Sequence, residues 1–288
     1  MSDPIAHPPV PRRPRRSALY VPGANARAID KAGSLAADTL IFDLEDAVAP
    51  DAKAKARDAV TSAVFARDVG RQELVIRING LDTEWGADDL TAALEAGPDA
   101  LLLPKVESAD DLDTVRRVAG EAREVALWAM IETPRGILAI DEIADELAAG
   151  TGTPGLVVGI NDLALAMQAR LDAGRSAFRL ALQVTVLAAR ARGLIALDGV
   201  CNAIGDEARL RAECEDGRTL GFDGKTLIHP GQIETANAVF SPSAAELAEA
   251  EAVIAAFDAA PDAGVLKVDG RMVERLHLEA ARRIAGGA

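Results

Sequence analysis

The sequence predicts a (β/α)8 TIM barrel with a C-terminal helical extension that forms a lid. Eight short runs rich in Leu, Ile and Val alternate with Ala-rich amphipathic stretches, which indicates repeated strand–helix units. The length of 288 residues suits one such barrel, which typically needs about 250. An open doubly wound sheet is the alternative, but its first strand is usually followed by a glycine-rich turn. The corresponding segment here, VPGANAR, has a single glycine.

The predicted elements follow in chain order. Residues 1–16 contain five prolines and four arginines and predict a flexible arm. The barrel is predicted over 17–240, and its strands are continuous apolar runs, as in parallel strands covered on both faces. These runs are 17–22, 38–46, 73–80, 99–106, 125–132, 156–162, 194–200 and 225–230. The helical patterns between them include 25–36, 50–65, 108–120, 135–148 and 175–192.

Residues 241–288 lie outside the eight units. Two helical patterns, SAAELAEAEAVIAAF and MVERLHLEAARRI, flank the turn-rich string PDAGVLKVDG, which is interpreted as a hinge. The segment is either a barrel-closing helix pair or a mobile lid, and the periodicity leaves both open.

Composition excludes several classes of function. With 31 basic and 45 acidic residues the net charge is −14, the wrong sign for a nucleic-acid-binding protein. The two cysteines, Cys201 and Cys214, have neither CxxC spacing nor paired histidines, so no zinc site or disulfide framework is expected, and a cytoplasmic location fits. No apolar run reaches the roughly 18 residues of a membrane span, and no signal peptide is expected.

Polar residues stand where the predicted strands end, which is where barrels of this type place their working groups. They are Asp43, Glu45, Asp46, Arg77, Asn79, Lys105, Glu132, Asn161, Asp162, Asp198 and His229. Carboxylates at such positions are costly to desolvate without a cation or donors, and hard oxygen ligands favour magnesium over zinc or calcium. Glu132 and Asp162 are the best candidate ligands because each follows an unbroken apolar run, although either carboxylate could instead cap the next helix.

An ordered set of strings carries a family resemblance. These are RRSALYVPG, TLIFDLEDAV, RINGLDTEW, LLLPKVES, IETPRGI, GINDLA and GFDGKTLIHPGQI. Together they resemble the citrate lyase β subunit-like family of the HpcH/HpaI aldolase superfamily, from Arg16 to about Phe240. The resemblance implies a Mg²⁺-dependent barrel, working as a homotrimer, that cleaves or forms a carbon–carbon bond in a CoA thioester.

The resemblance also implies roles for individual residues. It makes Glu132 and Asp162 the direct Mg²⁺ ligands, and it makes Arg77 the group that grips an oxygen of the α-keto acid, for which a planar fork is suited. Glu45 and Asp46 would hold metal-bound water and orient Arg77. Without the resemblance, the DLED string would be interpreted as a solvated helix start.

The C-terminal extension contains a departure from the family pattern. DGRMVERL resembles the family's lid motif, but Glu274 stands where relatives commonly have an aspartate. In relatives that aspartate is linked to proton transfer or to thioester hydrolysis and can reach the site of a neighbouring subunit. Glu274 is therefore a candidate base, with an exposed helical glutamate as the alternative.

Contacts to CoA are expected from cations near the predicted mouth of the barrel. Arg16, Lys53 and Lys105 could meet its phosphates, although lysines and arginines at such positions are more often ordinary surface or strand-end residues.

The expected function is a magnesium-dependent lyase that splits a thioester such as malyl-CoA or citramalyl-CoA into an acyl-CoA and an α-keto acid. Two alternatives stay open, and the first of them shares the metal site. One is a pyruvate-type aldolase acting on free hydroxy-keto acids, and the other is a carrier-dependent citrate lyase β subunit that works in a complex. The sequence leaves open the acyl group and whether hydrolysis follows cleavage.

Overall fold

A computed structural model describes residues 13–67, 72–120 and 125–286 of the chain. Eight parallel strands form a closed barrel in sequence order, with the last strand paired to the first, which confirms the predicted (β/α)8 fold. The strands are β1 Ser17–Pro22, β2 Thr39–Asp43, β3 Glu73–Arg77, β4 Ala100–Leu103, β5 Ala126–Ile131, β6 Gly155–Val158, β7 Ile195–Asp198 and β8 Gly224–Leu227.

Helices follow the strands and cover the outside of the barrel. They are α1 Ala26–Ala32, α2 Lys53–Ala66, α3 Gly86–Ala96, α4 Ala109–Ala119, α5 Pro134–Leu138, α6 Ile140–Ala148, α7 Ile160–Ala166, α8 Arg179–Arg192, α9 Glu207–Leu220 and α10 Ile233–Phe240. None of the helices in the described part of the chain is both long and apolar enough to cross a lipid bilayer.

Both faces of the strands are buried, which explains why the predicted runs are continuously apolar. Alternate side chains fill the barrel interior, among them Ile41, Leu102 and Trp128. The residues between them, such as Leu40 and Leu101, pack against the helices in a second cluster. The interior is therefore a packed core, and polar groups occur at its two ends.

Charged residues close the end of the barrel at which the strands begin. Arg15 donates to both carboxylate oxygens of Glu73, at 2.6 and 2.5 Å. Arg16 forms an ion pair with Asp38 at 2.8 Å, immediately before β2. The prediction that Arg16 lies near the mouth is therefore wrong, because it sits at the opposite end from the strand C-termini. The predicted arm falls mostly outside the described residues, and its last two arginines are held in place.

The C-terminal segment forms a small unit with its own core. It comprises α11 Ala244–Ala259, β9 Val265–Val268, β10 Arg271–Glu274 and α12 Arg275–Gly286. Phe257, Val273 and Leu278 are buried against one another. The predicted hinge is wrong, because β9 and β10 pair as an antiparallel hairpin across Asp269 and Gly270. Both turn residues have positive φ, 47° and 82°, as in the Asp-Gly turns that favour two-residue hairpins.

Candidate active site

The C-terminal ends of β2 to β6 bring the predicted carboxylates together. Lys105 connects them, because its ammonium lies 2.6 Å from Glu45 Oε1 and 3.8 Å from Asp162 Oδ2. Its backbone N–H donates to Glu132 Oε1 at 2.8 Å. Arg77 Nη1 lies 2.9 Å from the other oxygen of Glu45. Three carboxylates from different loops and one guanidinium therefore meet at one edge of the barrel.

Arg77 is held in an internal fork. Its Nε and Nη2 each donate to one oxygen of Asp43 at 2.7 Å, and its guanidinium stacks on the Tyr20 ring, 4.8 Å from the centroid. Burial disfavours the charge, but Asp43, together with Tyr20 and Glu45, offsets this and raises the pKa of Arg77 well above its ordinary value. The sequence analysis expected the guanidinium of Arg77 to bind substrate, but two of its three nitrogen atoms donate to Asp43. The remaining nitrogen, Nη1, faces Glu45 and, at 3.4 Å, Asp46.

The sequence placed Asp43 among the polar strand-end residues but missed its contact with Arg77, because the task of orienting Arg77 was assigned to Glu45 and Asp46. Asp43 accepts the backbone N–H groups of Glu45 and Ala47, and this fixes the turn after β2. Asp43 and Arg77 end neighbouring strands at the same register position. That register was a usable signal, since the last residues of two adjacent parallel runs are expected to lie side by side.

Glu132 is buried beside other carboxylates. Burial, followed by the charge of Glu45 and then of Asp162, raises its pKa to about 8, although the Lys105 N–H lowers it. The first turn of α5 is capped by Thr133, which accepts the N–H of Gly136. Among the described residues, no backbone N–H of α5 or α7 donates to Glu132 or Asp162. The helix-capping alternative is therefore wrong for both carboxylates.

The donor set fits a hard divalent cation. Glu45 Oε2 is buried and forms an ion pair with Arg77 Nη1 at 2.9 Å, so it is not one of the open ligand oxygens. A Cβ at Gly159 would overlap Glu132 Oε2, so glycine keeps the space around that oxygen open. No group of three or more His, Cys, Asp or Glu side chains forms a ligand cage within residues 13–67, 72–120 and 125–286. Two carboxylates completed by water and substrate oxygens are the arrangement that magnesium favours.

Lys53 has a structural role. Its ammonium donates to the backbone oxygens of Leu44 and Glu45 and to Asn79 Oδ1, at 2.8, 2.7 and 2.6 Å. All three donors are used, and the residue is buried. The prediction that Lys53 meets a phosphate at the mouth is therefore wrong, and the lysine instead fixes the loop after β2.

A cavity of about 560 Å³ lies on one side of Lys105. It lies between the loops that follow β3 and β4, and its lining includes Asn79, Lys105, Ser108, Thr133 and Arg135. Lys105, with half of its side chain exposed, stands between this cavity and the carboxylates. The space is large enough for part of an extended ligand that reaches the carboxylates.

Three other predicted polar residues lie elsewhere. Within the described ranges no hydrogen bond or ion pair joins Glu274 to the barrel, and its N–H donates to His277 Nδ1 within the C-terminal unit. Asp198 belongs to a buried ion-pair cluster with Arg175 outside the barrel interior. His229 accepts the N–H of Gly231 and caps a short turn, as expected of a structural histidine.

The sequence model of the HpcH/HpaI aldolase/citrate lyase family matches residues 16–230. The chain belongs to this family. The resemblance found in the motif strings is thereby confirmed, and the family's barrel is the one observed.

Two proteins of similar sequence are named for reactions of CoA thioesters. The chain is 51% identical over 272 residues to a (3S)-malyl-CoA thioesterase of Cereibacter sphaeroides, covering 94% of this chain and 93% of the relative. It is 33% identical over 306 residues to an L-malyl-CoA/β-methylmalyl-CoA lyase from the same organism, covering 96% and 95%. Members of the family thus include enzymes named for acting on CoA thioesters.

The fold is shared with a solved relative. The structure of CitE from Mycobacterium tuberculosis in complex with magnesium, acetoacetate and coenzyme A superposes with a TM-score of 0.77 at 32% identity. The match covers 96% of this chain and the whole of that one, so it includes the C-terminal unit.

Proposed function

We propose that this protein hydrolyses the thioester of a short hydroxy-dicarboxylic acid linked to CoA, a compound of the malyl-CoA type, with the help of magnesium. The observation that carries the proposal is the 51% identity to a malyl-CoA thioesterase along almost the whole chain, against 33% to a malyl-CoA lyase. Carbon–carbon cleavage of the same substrate is the second candidate, because that lyase relative also spans nearly the full length.

Glu132 and Asp162 would hold the magnesium ion. When bound, the ion would act as a Lewis acid and as a template for the hydroxyl and carboxylate oxygens of the substrate. Arg77 Nη1 would donate to a substrate oxygen, and Asp43 keeps the guanidinium at the required angle. The cavity beside Lys105 would take the part of the CoA arm next to the thioester, and Arg135 in its lining supplies a second cation.

Hydrolysis needs a base for water. The water oxygen attacks the thioester carbonyl, the base takes its proton, the carbon–sulfur bond breaks, and the sulfur of CoA leaves and is protonated. We assign the base to Glu274 of a neighbouring subunit in a homotrimer. Support comes from the outward face of the hairpin, where Glu274 stands beside the exposed apolar side chains of Val265 and Met272. Such a face is suited to lie against another protein surface.

Product analysis tests the reaction. The purified protein is incubated with magnesium and (3S)-malyl-CoA in H₂¹⁸O, and the products are identified by mass. Hydrolysis yields malate with one ¹⁸O in the new carboxylate and free CoA, whereas cleavage yields acetyl-CoA and glyoxylate. Acetyl-CoA as the first product would replace our proposal with the lyase alternative. Inactivity alone and activity with an acyl-carrier partner would indicate a carrier-dependent subunit.

Replacing the proposed base should slow turnover without weakening metal binding. We expect Glu274→Gln to lower kcat about tenfold to a hundredfold, because general-base catalysis typically contributes at least that much. Glu279→Gln, on the exposed side of α12, is the matched control and should behave as wild type. Mixed trimers of Glu274→Gln and Glu132→Gln chains should regain part of the activity. In some of their sites, the intact Glu132 of one chain would lie beside the intact Glu274 of the other. Mixed trimers without any gain would place Glu274 outside the mechanism.

Arg77→Lys should weaken substrate binding. A lysine cannot form the fork with Asp43 while pointing a donor at the substrate, so we expect KM to rise about tenfold. Steady-state kinetics measure the effect, and a thermal melt separates it from loss of fold. Arg211→Lys, on the exposed face of α9, is the control. A KM equal to that of wild type would contradict the role of Nη1.

A further inference from the structure

Lys105 has an unusual backbone conformation at the active site. Its φ is +50°, in the left-handed region that costs a non-glycine residue free energy. The strain has a visible effect, because it lets one residue serve two carboxylates from different loops. The N–H reaches Glu132 Oε1 and the ammonium reaches Glu45 Oε1.

The ammonium of Lys105 also faces the second proposed metal ligand, at 3.8 Å from Asp162 Oδ2. Its surroundings differ from those of Lys53, which is buried and donates only to neutral oxygens. Half of the Lys105 side chain is exposed, and it lines the adjoining cavity, so it has space into which it can turn.

We propose that the Lys105 ammonium and the divalent cation compete for Asp162, so that Lys105 sets the metal affinity of the site. The inference rests on the proposed function, since it takes Glu132 and Asp162 as the metal ligands. Binding of the cation turns the ammonium away from Glu45 and Asp162 and towards the cavity. A lysine that lowers metal affinity thereby becomes available to an anionic group of the ligand once the metal is in place.

The short distance between Lys105 Nζ and Asp162 implies repulsion between the ammonium and a cation bound to Asp162. A magnesium ion bound to Asp162 Oδ2 at its usual distance of about 2.1 Å would lie within about 6 Å of the observed position of Nζ. Like charges at that separation repel appreciably even near a protein surface, although solvent and rotation of the side chain relieve part of the repulsion. Removing the lysine charge should therefore tighten binding about tenfold.

Metal titration without substrate tests the proposal. Mg²⁺ binding is measured by isothermal titration calorimetry and Mn²⁺ binding by electron paramagnetic resonance, on wild type and on three variants. Lys105→Met and Lys105→Asn remove the charge, and asparagine tolerates the left-handed conformation, so one variant remains informative if the other fails to fold. Lys105→Arg keeps the charge and is the matched control.

The expected result is about tenfold tighter binding in Lys105→Asn and Lys105→Met, with Lys105→Arg within about threefold of wild type. Equal or weaker binding in the neutral variants would overturn the inference and leave the metal site intact. If wild type itself binds neither Mg²⁺ nor Mn²⁺, and Glu132→Gln does not differ from it, the proposed metal site fails. The two failures are thus distinguishable.

Discussion

Gly159→Ala should abolish divalent-cation binding and lower turnover about a thousandfold or more, since it displaces Glu132, the proposed ligand of a cation that would supply several kcal/mol to catalysis. Gly159 directly follows β6 and lies beside Glu132, which directly follows the neighbouring strand β5. Its N–H donates to the oxygen of Ile131 at 3.1 Å, which fixes the distance between the two turns.

Space, and not backbone conformation, requires a glycine here. The φ of Gly159 is −98°, which any residue can adopt. A Cβ at this position would overlap both Oε2 and Cβ of Glu132. Because Cβ of Glu132 is fixed by its own backbone, rotation of the side chain cannot relieve both overlaps, so the turn must shift and carry the carboxylate with it. A displacement near 1 Å at a reacting centre can cost about a hundredfold by itself.

The control is Gly174→Ala, where an added Cβ would meet nothing within 4 Å. Titration calorimetry with Mg²⁺, turnover of malyl-CoA and thermal melts are measured for both variants. We expect the control to match wild type in all three. Gly159→Ala with normal metal affinity would show that Glu132 is not the ligand or that the turn yields more easily than the geometry suggests.

The barrel could be predicted because its pattern depends on local repetition. Strands covered on both faces produce continuous apolar runs, and several of these runs end at or just before a polar residue. Glu132 and Asp162 were found this way, and the structure brings both to Lys105. Position along a strand therefore predicts which end of the barrel a residue occupies.

Position does not predict the partner of a charged residue. Lys53 and Lys105 both follow strands, yet one is saturated by loop oxygens and the other faces carboxylates. The difference depends on loop conformation, including a positive φ at Lys105 that no residue preference signals. The hairpin was missed for another reason, because helix-forming residues after Met272 concealed the Asp269-Gly270 turn.

The direction in which a side chain points at a strand end also could not be predicted from the sequence. Asp198 ends β7, as Arg77 ends β3, but it points away from the barrel interior towards α9, where a Cβ at Gly217 would lie 2.8 Å from its Oδ2. There it meets Arg175 Nη1 at 2.6 Å and Lys225 Nζ at 2.9 Å. Asp198 and Lys225 are fully buried and stand opposite each other in the β7–β8 pairing.

Asp198→Asn should therefore reduce the free energy of unfolding by about 3–5 kcal/mol, the range found when one partner of a buried ion pair is removed. The substitution keeps the shape of the side chain but removes the carboxylate shared by Arg175 and Lys225, which leaves Arg175 with Asp216 and Lys225 with Glu213 at 3.5 Å. Urea denaturation measures the change. Glu207→Gln, whose side chain is 72% exposed in its ion pair with Arg211, is the control and should change stability by less than about 1 kcal/mol.

A double variant separates charge from packing at this cluster. If the cost of Asp198→Asn comes from unpaired buried charge, adding Lys225→Met should restore part of the lost stability, because one of the two cations then disappears. If the cost comes from lost packing or hydrogen bonds, the second substitution should add to the first. Through Asp198 the cluster connects β7 and β8 to the segment around Arg175. If the two losses of unfolding free energy add, packing and hydrogen bonds stabilise this side of the barrel more than the balance of charge does.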